Sequence, residues 1–336
     1  MTTPLLEVEG LQVRFWTRRG TVHAVNDISF SLSAGETLGI VGESGCGKSV
    51  TALALMGILP RAGRVTAGTV RFEGRDLYGQ SDAEWQRFRG KEIAMIFQDP
   101  MTSLNPVLTI GTQLREAIDA HLDLSGDDAS KRVVELLERV GIPQARTRVK
   151  DYPHQFSGGM RQRAMIAMAL ACEPKVLVAD EPTTALDVTI QAQILDLLRD
   201  LVTERGTALI LITHDLGVVA GMCERVQVMY AGTVVETGHA DPLFATPRHP
   251  YTLGLLQSVP RLDTGRRQAL QPIEGSPPNM LSAPASCPFA PRCRYAQDDC
   301  VESLPSLAGI GADQHAACFH PVPADEWRRT RLSGAA

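Results

Sequence analysis

The chain has 336 residues, of which 44% are hydrophobic and 21% charged, and its formal net charge is −5. That length holds one large or two ordinary domains with an ample core, and the composition is typical of a soluble globular protein. The negative net charge argues against binding to nucleic acid through bulk positive charge. The lack of any long apolar run argues against a membrane-spanning helix. The acidic residues within 1–10 argue against a secretion signal.

Two β-strands are predicted near the N-terminus. Residues 5–15 and 22–32 alternate between apolar and polar side chains, and the polar residues 17–20 form the turn between them. Residues 65–72 predict a further strand, in which Gly68 marks a candidate β-bulge.

Residues 42–49 read Gly-Glu-Ser-Gly-Cys-Gly-Lys-Ser and fit the phosphate-binding loop pattern G-x-x-x-x-G-K-[ST]. An apolar, strand-like segment precedes the loop at 37–41, and the segment 50–59 that follows predicts a helix. The glycines allow backbone amides to face phosphate groups, Lys48 is expected to reach the β- and γ-phosphates, and the Ser49 hydroxyl is expected to bind Mg²⁺. The alternative, a glycine-rich turn with a chance Lys-Ser pair, is disfavoured by these flanks. The predicted nucleotide contacts are Gly42, Ser44, Gly45, Cys46, Gly47, Lys48, Ser49 and Val50.

The strands around this loop predict a β-rich layer over the base and ribose of the nucleotide. Phe15 or Trp16 would stack on the adenine ring. An aromatic side chain that only fills the sheet is an equally good interpretation of either residue.

A short apolar strand at 93–97 ends at Gln98. The polar segment 99–106 contains two prolines and an asparagine and predicts a loop, after which helical spacing resumes, most clearly at 131–140. Residues 99–172 therefore predict a helical insertion into an α/β core.

A second glycine-bearing helix start lies inside this insertion, at Ser157, Gly158 and Gly159. A hydroxyl and two unhindered amides at a helix N-terminus form an anion site for the same reasons as the first loop. The alternative is an ordinary serine N-cap.

Residues 175–181 predict a buried strand that ends in two carboxylates, Asp180 and Glu181. A strand that delivers Asp180 beside a phosphate-binding loop positions a ligand for Mg²⁺, and Glu181 would polarise the attacking water. The alternative is an acidic strand-to-loop junction. One more buried strand, at 208–213, ends at His214, which would contact the γ-phosphate unless it is structural.

Taken in order and spacing, these motifs resemble the ATP-binding subunits of ABC transporters over about residues 5–260. The resemblance implies an α/β P-loop NTPase fold with a RecA-like core, an antiparallel β subdomain and a helical subdomain, within an ATPase domain at 1–240. It makes 42–49 the Walker A motif, 157–162 the signature motif and 176–180 Walker B. It also makes Gln98 the Q-loop residue and a magnesium ligand, Glu181 the catalytic carboxylate, 185–187 the D-loop with Asp187 near the nucleotide, and His214 the switch histidine.

The same resemblance implies a dimer, in which Ser157, Gly158 and Gly159 of one subunit close over ATP held by the other subunit. The signature motif departs from the common L-S-G-G-Q, because Phe156 and Met160 replace its first and fifth residues. This form of the motif resembles that of one of the two different ATPase subunits of oligopeptide and dipeptide permeases. The resemblance therefore implies a heterodimer with a second, homologous ATPase subunit.

Residues 241–336 predict a proline-rich extension that contains four cysteines. Paired C-x₂₋₄-C zinc motifs do not occur there, and iron–sulfur clusters accept more varied spacing. The segment 287–293 resembles the C-terminal domain of peptide and nickel importer ATPases, and this resemblance implies a [4Fe–4S] cluster with a structural role; zinc and free or disulfide-paired thiols are the alternatives. The predicted ligands are Cys287, Cys293, Cys300 and Cys318.

The preferred function is a Mg²⁺-dependent transport ATPase that drives import of di- or oligopeptides from the cytoplasmic face of the cell membrane. Its expected partners are two transmembrane permease subunits and an extracytoplasmic solute-binding protein, with no nucleic acid. A nickel importer of the same family is the nearest alternative. A soluble ABC ATPase of DNA repair or translation, and a P-loop kinase, are more distant ones.

Overall fold

The computed structural model describes residues 4–184, 187–259, 272–311 and 313–326. The strands are β1 Leu6–Thr17, β2 Gly20–Leu32, β3 Thr37–Val41, β4 Gly63–Phe72, β5 Arg75–Asp76, β6 Ile93–Ile96, β7 Val176–Asp180, β8 Ala208–Ile212, β9 Arg225–Tyr230, β10 Thr233–His239, β11 Ala308–Gly311 and β12 Gln314–Ala316. The helices are α1 Lys48–Leu55, α2 Asp82–Phe88, α3 Pro100–Ser103, α4 Ile110–Asp119, α5 Gly126–Arg139, α6 Ala145–Arg148, α7 Gly158–Ala169, α8 Val188–Arg205, α9 Leu216–Met222, α10 Ala240–Ala245, α11 Pro250–Gln257 and α12 Asp298–Glu302. Short 3₁₀ turns lie at Pro153–Gln155 and Ala290–Arg292.

These elements form two compact units. Of the described residues, the first unit comprises 4–6, 32–37, 71–184 and 187–211, and the second comprises 7–31, 38–70, 212–259, 272–311 and 313–326. Both units combine strands and helices, as the predicted α/β fold class requires. Within the described ranges, no helix has both the length and the apolarity needed to cross a bilayer.

The sheet strands of the first unit run in the order β8-β7-β6, and β6 pairs with β7 in parallel. Every residue of these three strands is buried. Their sequences are continuous apolar runs rather than alternating ones, which is the pattern of parallel strands covered on both faces. Glu181 directly follows the carboxyl end of β7, and Gln98 lies two residues after the carboxyl end of β6.

Helices α3 to α7 of the first unit fall between residues 100 and 169, inside the predicted insertion. Helix α5 begins earlier than its apolar spacing indicates, because the Ser125 hydroxyl accepts a hydrogen bond from the Asp128 N–H at 3.2 Å and caps the N-terminus. Its buried face is formed by Ala129, Val133, Leu136 and Leu137.

The second unit contains two sets of strands. One set runs in the order β2-β1-β4. In β4, Gly68 has a φ of +89°, and a Cβ at this position would lie 2.4 Å from the carbonyl oxygen of Gly10, so only glycine fits between the strands. The other set runs β11-β12-β10-β9-β3, with β9 parallel to β3 and antiparallel to β10.

The C-terminal strand β12 is attached to β10 through a buried carboxylate. Glu236 is fully buried and accepts hydrogen bonds from the Arg248 N–H at 2.8 Å, the His249 N–H at 3.0 Å and the Gln314 Nε2 at 2.8 Å. Burial raises the pKa of Glu236. One side chain thus joins β10, the start of α11 and β12.

His249 caps the N-terminus of α11 from a fully buried position, and its Nδ1 accepts the Tyr251 N–H at 3.1 Å. Burial lowers the pKa of His249 to about 3. The folded chain therefore holds a neutral imidazole at pH values at which an unfolded chain binds a proton.

We expect this neutral histidine to make the fold acid-sensitive. Its folded pKa lies below its unfolded pKa of about 6.5, so its contribution to stability is present above pH ~6.5 and is lost as pH falls toward 3, at up to about 1.4 kcal/mol per pH unit. His249→Asn retains an acceptor for the Tyr251 N–H but does not titrate. Denaturant unfolding at several pH values between 4 and 7.5 should give a shallower pH dependence for His249→Asn. The exposed His239 provides the control, because His239→Asn should leave the slope of the native protein unchanged.

Candidate nucleotide site

The predicted phosphate-binding loop follows the buried strand β3 and leads into α1. Gly42 and Gly47 have φ angles of +151° and +106°. A Cβ at Gly42 would lie 2.2 Å from the Met229 carbonyl oxygen, and one at Gly47 would lie 2.5 Å from the Ala24 carbonyl oxygen. The backbone of the loop is therefore pressed against its neighbours, and no side chain fits at either glycine.

Lys48 is 5% exposed, and its ammonium donates to the carbonyl oxygens of Gly42 at 2.8 Å and Glu43 at 2.9 Å. Cys46 is buried beside it, whereas Ser44 and Gly45 are exposed. The loop thus combines the buried Lys48 ammonium, the exposed residues Ser44 and Gly45, and the N-terminal amides of α1, which follow it in the chain. This donor set fits a phosphate chain.

Gln98 and Glu181, predicted from separate motifs, lie together in the first unit. Gln98 Nε2 donates to Glu181 Oε2 at 3.1 Å, and Thr184 Oγ1 donates to the same oxygen at 2.8 Å. Glu181 has a φ of +47°, in the left-handed region, which turns the chain sharply after β7. Asp180, just before it, is 4% exposed. The sequence patterns did not indicate Thr184.

Ser157 caps α7, as its Oγ accepts the Met160 N–H at 3.3 Å. Ser157 and Gly158 are exposed, whereas Phe156 is 2% exposed and belongs to the core. Gln162, on the same helix, is buried and donates to the Pro182 carbonyl oxygen at 2.7 Å. Helix α7, which carries the predicted signature residues, is thus hydrogen-bonded to the segment that follows Glu181, a link that sequence reasoning missed.

The remaining predicted site residues occupy the ends of elements. Asp187 caps α8 by accepting the Ile190 N–H at 3.0 Å; Ala185 and Leu186 of the predicted D-loop lie outside the described residues. His214 is exposed and lies two residues after the end of β8. The ring of Phe15 lies against Gly63, where a Cβ would approach it to 2.6 Å, and Trp16 is 51% exposed.

The predicted [4Fe–4S] cluster is wrong. Cys287, Cys293, Cys300 and Cys318 border one small cavity, yet in the described ranges the ligand atoms that converge within 4.8 Å are those of Asp299, Cys300 and His320, which include one of the four thiols. Burial raises the pKa of the Cys318 thiol to about 12. The spacing of cysteines along the chain does not report which ligand atoms converge. ABC ATPase chemistry, moreover, uses no iron–sulfur cluster.

Comparison with known families gives two matches. The ABC transporter family matches residues 25–184, and the family described as oligopeptide/dipeptide transporter, C-terminal region, matches residues 235–300. Together with the sequence identity of the relatives below, these matches show that the chain belongs to the ABC transporter family.

Among its curated relatives is the oligopeptide transport ATP-binding protein OppD of Salmonella typhimurium, 54% identical over 318 residues, which cover 95% of this chain and 94% of the relative. The dipeptide transport ATP-binding protein DppD of Bacillus subtilis is 54% identical over 312 residues, covering 93% of this chain and 92% of the relative.

Solved ATP-binding cassettes share the fold. The cassette MJ0796, determined as a dimer in a post-hydrolysis state bound to ADP and phosphate, aligns with a TM-score of 0.64 at 26% identity over 70% of this chain and 98% of that chain. The cbiO1 protein of Clostridium perfringens, part of an ABC transporter complex, aligns with a TM-score of 0.61 at 30% identity over 73% of this chain and 92% of that chain. The predicted ABC ATPase fold is therefore confirmed.

Proposed function

We propose that the protein is the ATP-binding and ATP-hydrolysing subunit of an importer for oligopeptides or dipeptides. The observation that carries the proposal is its 54% identity, over 95% of the chain, to an oligopeptide transport ATP-binding protein. The match of residues 235–300 to the C-terminal region of such transporters favours it over a soluble ABC ATPase of DNA repair or translation. Nickel import stays the second candidate within the same family.

The phosphate-binding loop supplies the nucleotide site of this subunit. Lys48 exchanges its two carbonyl acceptors for phosphate oxygens, and the amides of the loop and of the α1 N-terminus hold the rest of the phosphate chain. Ser49, Asp180 and Gln98 have the oxygen ligands that Mg²⁺ prefers. Because Gln98 Nε2 donates to Glu181, its Oε1 is the amide atom suited to the metal. Bound Mg²⁺ would neutralise charge on the phosphates.

Glu181 acts as the general base toward the attacking water. Gln98 and Thr184 both donate to its Oε2, and two donors on one oxygen fix the orientation of the carboxylate. A base needs such fixed geometry before its basicity is of use. His214 contributes a contact to the γ-phosphate.

The N-terminus of α7 serves a second ATPase subunit. Ser157 and Gly158 are exposed, and a helix of 12 residues directs amides and a partial positive charge outward there. The dimer of MJ0796 with bound ADP and phosphate supports an arrangement of paired subunits. We place this subunit on the cytoplasmic face of the cell membrane, bound to two permease subunits that receive peptides from a solute-binding protein.

Glu181→Gln should lower ATP hydrolysis by about 10²–10⁴-fold, because the amide cannot accept the proton of the attacking water, while MgATP binding is retained. Glu173→Gln is a matched control, since Glu173 also has a positive φ but pairs with Arg132 of α5. Single-turnover hydrolysis and equilibrium nucleotide binding separate the two effects. Hydrolysis by Glu181→Gln at the native rate would disprove the assignment of the base.

Ser157→Ala should lower hydrolysis in the assembled transporter by roughly 10²-fold, as removal of one donor to transition-state charge does elsewhere. The change also removes an N-cap, worth about 1 kcal/mol. Ser125→Ala removes the cap of α5 in the same unit and should reproduce that loss of stability without the loss of activity. If Ser157→Ala and Ser125→Ala hydrolysed ATP at equal rates, Ser157 would act only as a helix cap and the proposed contact with nucleotide would be refuted.

Affinity purification from native membranes tests the function as a whole. The expected co-purifying chains are two permease subunits and a second ATPase. Vesicles reconstituted with these chains, and supplied with the solute-binding protein and labelled peptide outside, should take up the peptide only when MgATP is present on the side that bears the ATPase subunits. Uptake of Ni²⁺ but not of peptides would select the nickel alternative. Recovery with ribosomes or DNA and without permeases would refute transport.

A further inference from the structure

Glu43, the second residue of the phosphate-binding loop, forms hydrogen bonds through its N–H, its carboxylate and its carbonyl oxygen. Its N–H donates to the Tyr251 hydroxyl at 2.8 Å, its carboxylate accepts from the Arg292 guanidinium at 2.6 and 3.0 Å, and its carbonyl oxygen accepts from Lys48 at 2.9 Å. The first two partners lie 208 and 249 residues away along the chain. No motif accounts for either of them.

The ion pair between Arg292 and Glu43 is shielded and geometrically specific. The Arg292 side chain is 5% exposed and that of Glu43 is 27% exposed. Arg292 also donates to the Tyr230 hydroxyl at 3.2 Å and to the Glu274 carbonyl oxygen at 2.9 Å. A two-bond guanidinium–carboxylate contact fixes direction as well as distance, which a lysine ammonium cannot do.

Aromatic rings fix the two partner residues relative to each other. The rings of Tyr230 and Tyr251 lie 4.6 Å apart, and the ring of Phe289 lies 5.3 Å from each. Tyr230 ends β9, Tyr251 lies in α11, and Phe289 immediately precedes the 3₁₀ turn that carries Arg292. Contacts of this geometry add stability beyond burial alone and restrict rotamers. Arg292 and Tyr251 therefore reach the loop from a rigid support.

We propose that Arg292 and Tyr251 are positioning residues for nucleotide binding, through which the C-terminal region sets the conformation of the phosphate-binding loop. They fix Glu43, and the fixed carbonyl of Glu43 in turn defines where Lys48 rests before it engages a phosphate. Because Glu43 is fixed at both its amide and its carboxylate, the loop loses little conformational entropy when ATP binds. The inference rests on the proposed role of this loop in ATP binding.

Loss of such a role should raise the dissociation constant and KM for MgATP without lowering kcat, because Arg292 does not touch the reacting atoms. Arg292→Gln should weaken MgATP binding about tenfold, and Tyr251→Phe, which keeps the ring contacts, several-fold. Arg292→Lys should recover part of the loss, since an ammonium replaces one of two hydrogen bonds. The double variant Glu43→Gln with Arg292→Gln should bind no more weakly than the worse single variant.

Arg294→Gln is the matched control. It removes the same charge two residues further on, from a side chain that lies over the Tyr295 ring at 4.9 Å, and it should leave nucleotide affinity unchanged. Binding of a fluorescent ATP analogue to the purified chain gives the dissociation constants, steady-state hydrolysis by the complete transporter gives KM and kcat, and thermal unfolding without nucleotide reports any loss of fold.

The outcomes are distinct. Native protein that fails to bind MgATP refutes the proposed nucleotide site itself. Native binding together with unchanged affinity in Arg292→Gln and Tyr251→Phe overturns only the positioning role. A loss confined to thermal stability, or a fall in kcat at constant KM, also overturns it.

Discussion

The proposed nucleotide site in the second unit depends on the close approach of backbone segments that are distant along the chain. The Met229 carbonyl oxygen would lie 2.2 Å from a Cβ on Gly42, and the Ala24 carbonyl oxygen would lie 2.5 Å from one on Gly47. The Gly232 N–H donates to the Cys46 carbonyl oxygen at 3.0 Å. Because these contacts fix the turn from both sides, its amides do not need a ligand to hold their direction. Preorganised donors of this kind are what makes a phosphate site strong.

Much of this architecture is readable from sequence because its signals are local. The apolar runs of β6, β7 and β8 predict buried parallel strands, and the glycine pattern between β3 and α1 predicts a phosphate-binding turn. The pairing of Gln98 with Glu181 also follows from a simple rule, since residues after the carboxyl ends of neighbouring parallel strands meet at one sheet edge. In the first two cases a few adjacent residues contain the physical cause, and in the third the rule needs only the ends of two neighbouring strands.

The features that sequence reasoning missed or mispredicted depend on contacts between distant residues. Nothing near Glu43 indicates that Arg292 will pair with it, and nothing near Glu236 indicates that Gln314 will donate to it. For the cysteines, by contrast, the sequence predicted a convergence of side chains that the fold does not form. Four thiols within one segment suggested a common ligand set, whereas the folded chain brings Asp299 and His320 to Cys300. Spacing along the chain predicts convergence only where the intervening backbone is regular.

The second unit draws on both ends of the chain, and this has a consequence for biosynthesis. Ribosomes add about 5–20 residues per second, so roughly 10 to 50 s separate the emergence of Glu43 from that of Arg292. During this interval the nascent chain holds a glycine turn whose supporting residues do not yet exist. Strand β10 likewise waits for β12 with its edge uncovered. The growing polypeptide is thus most exposed to mispairing late in translation, when most of the sequence has already been made.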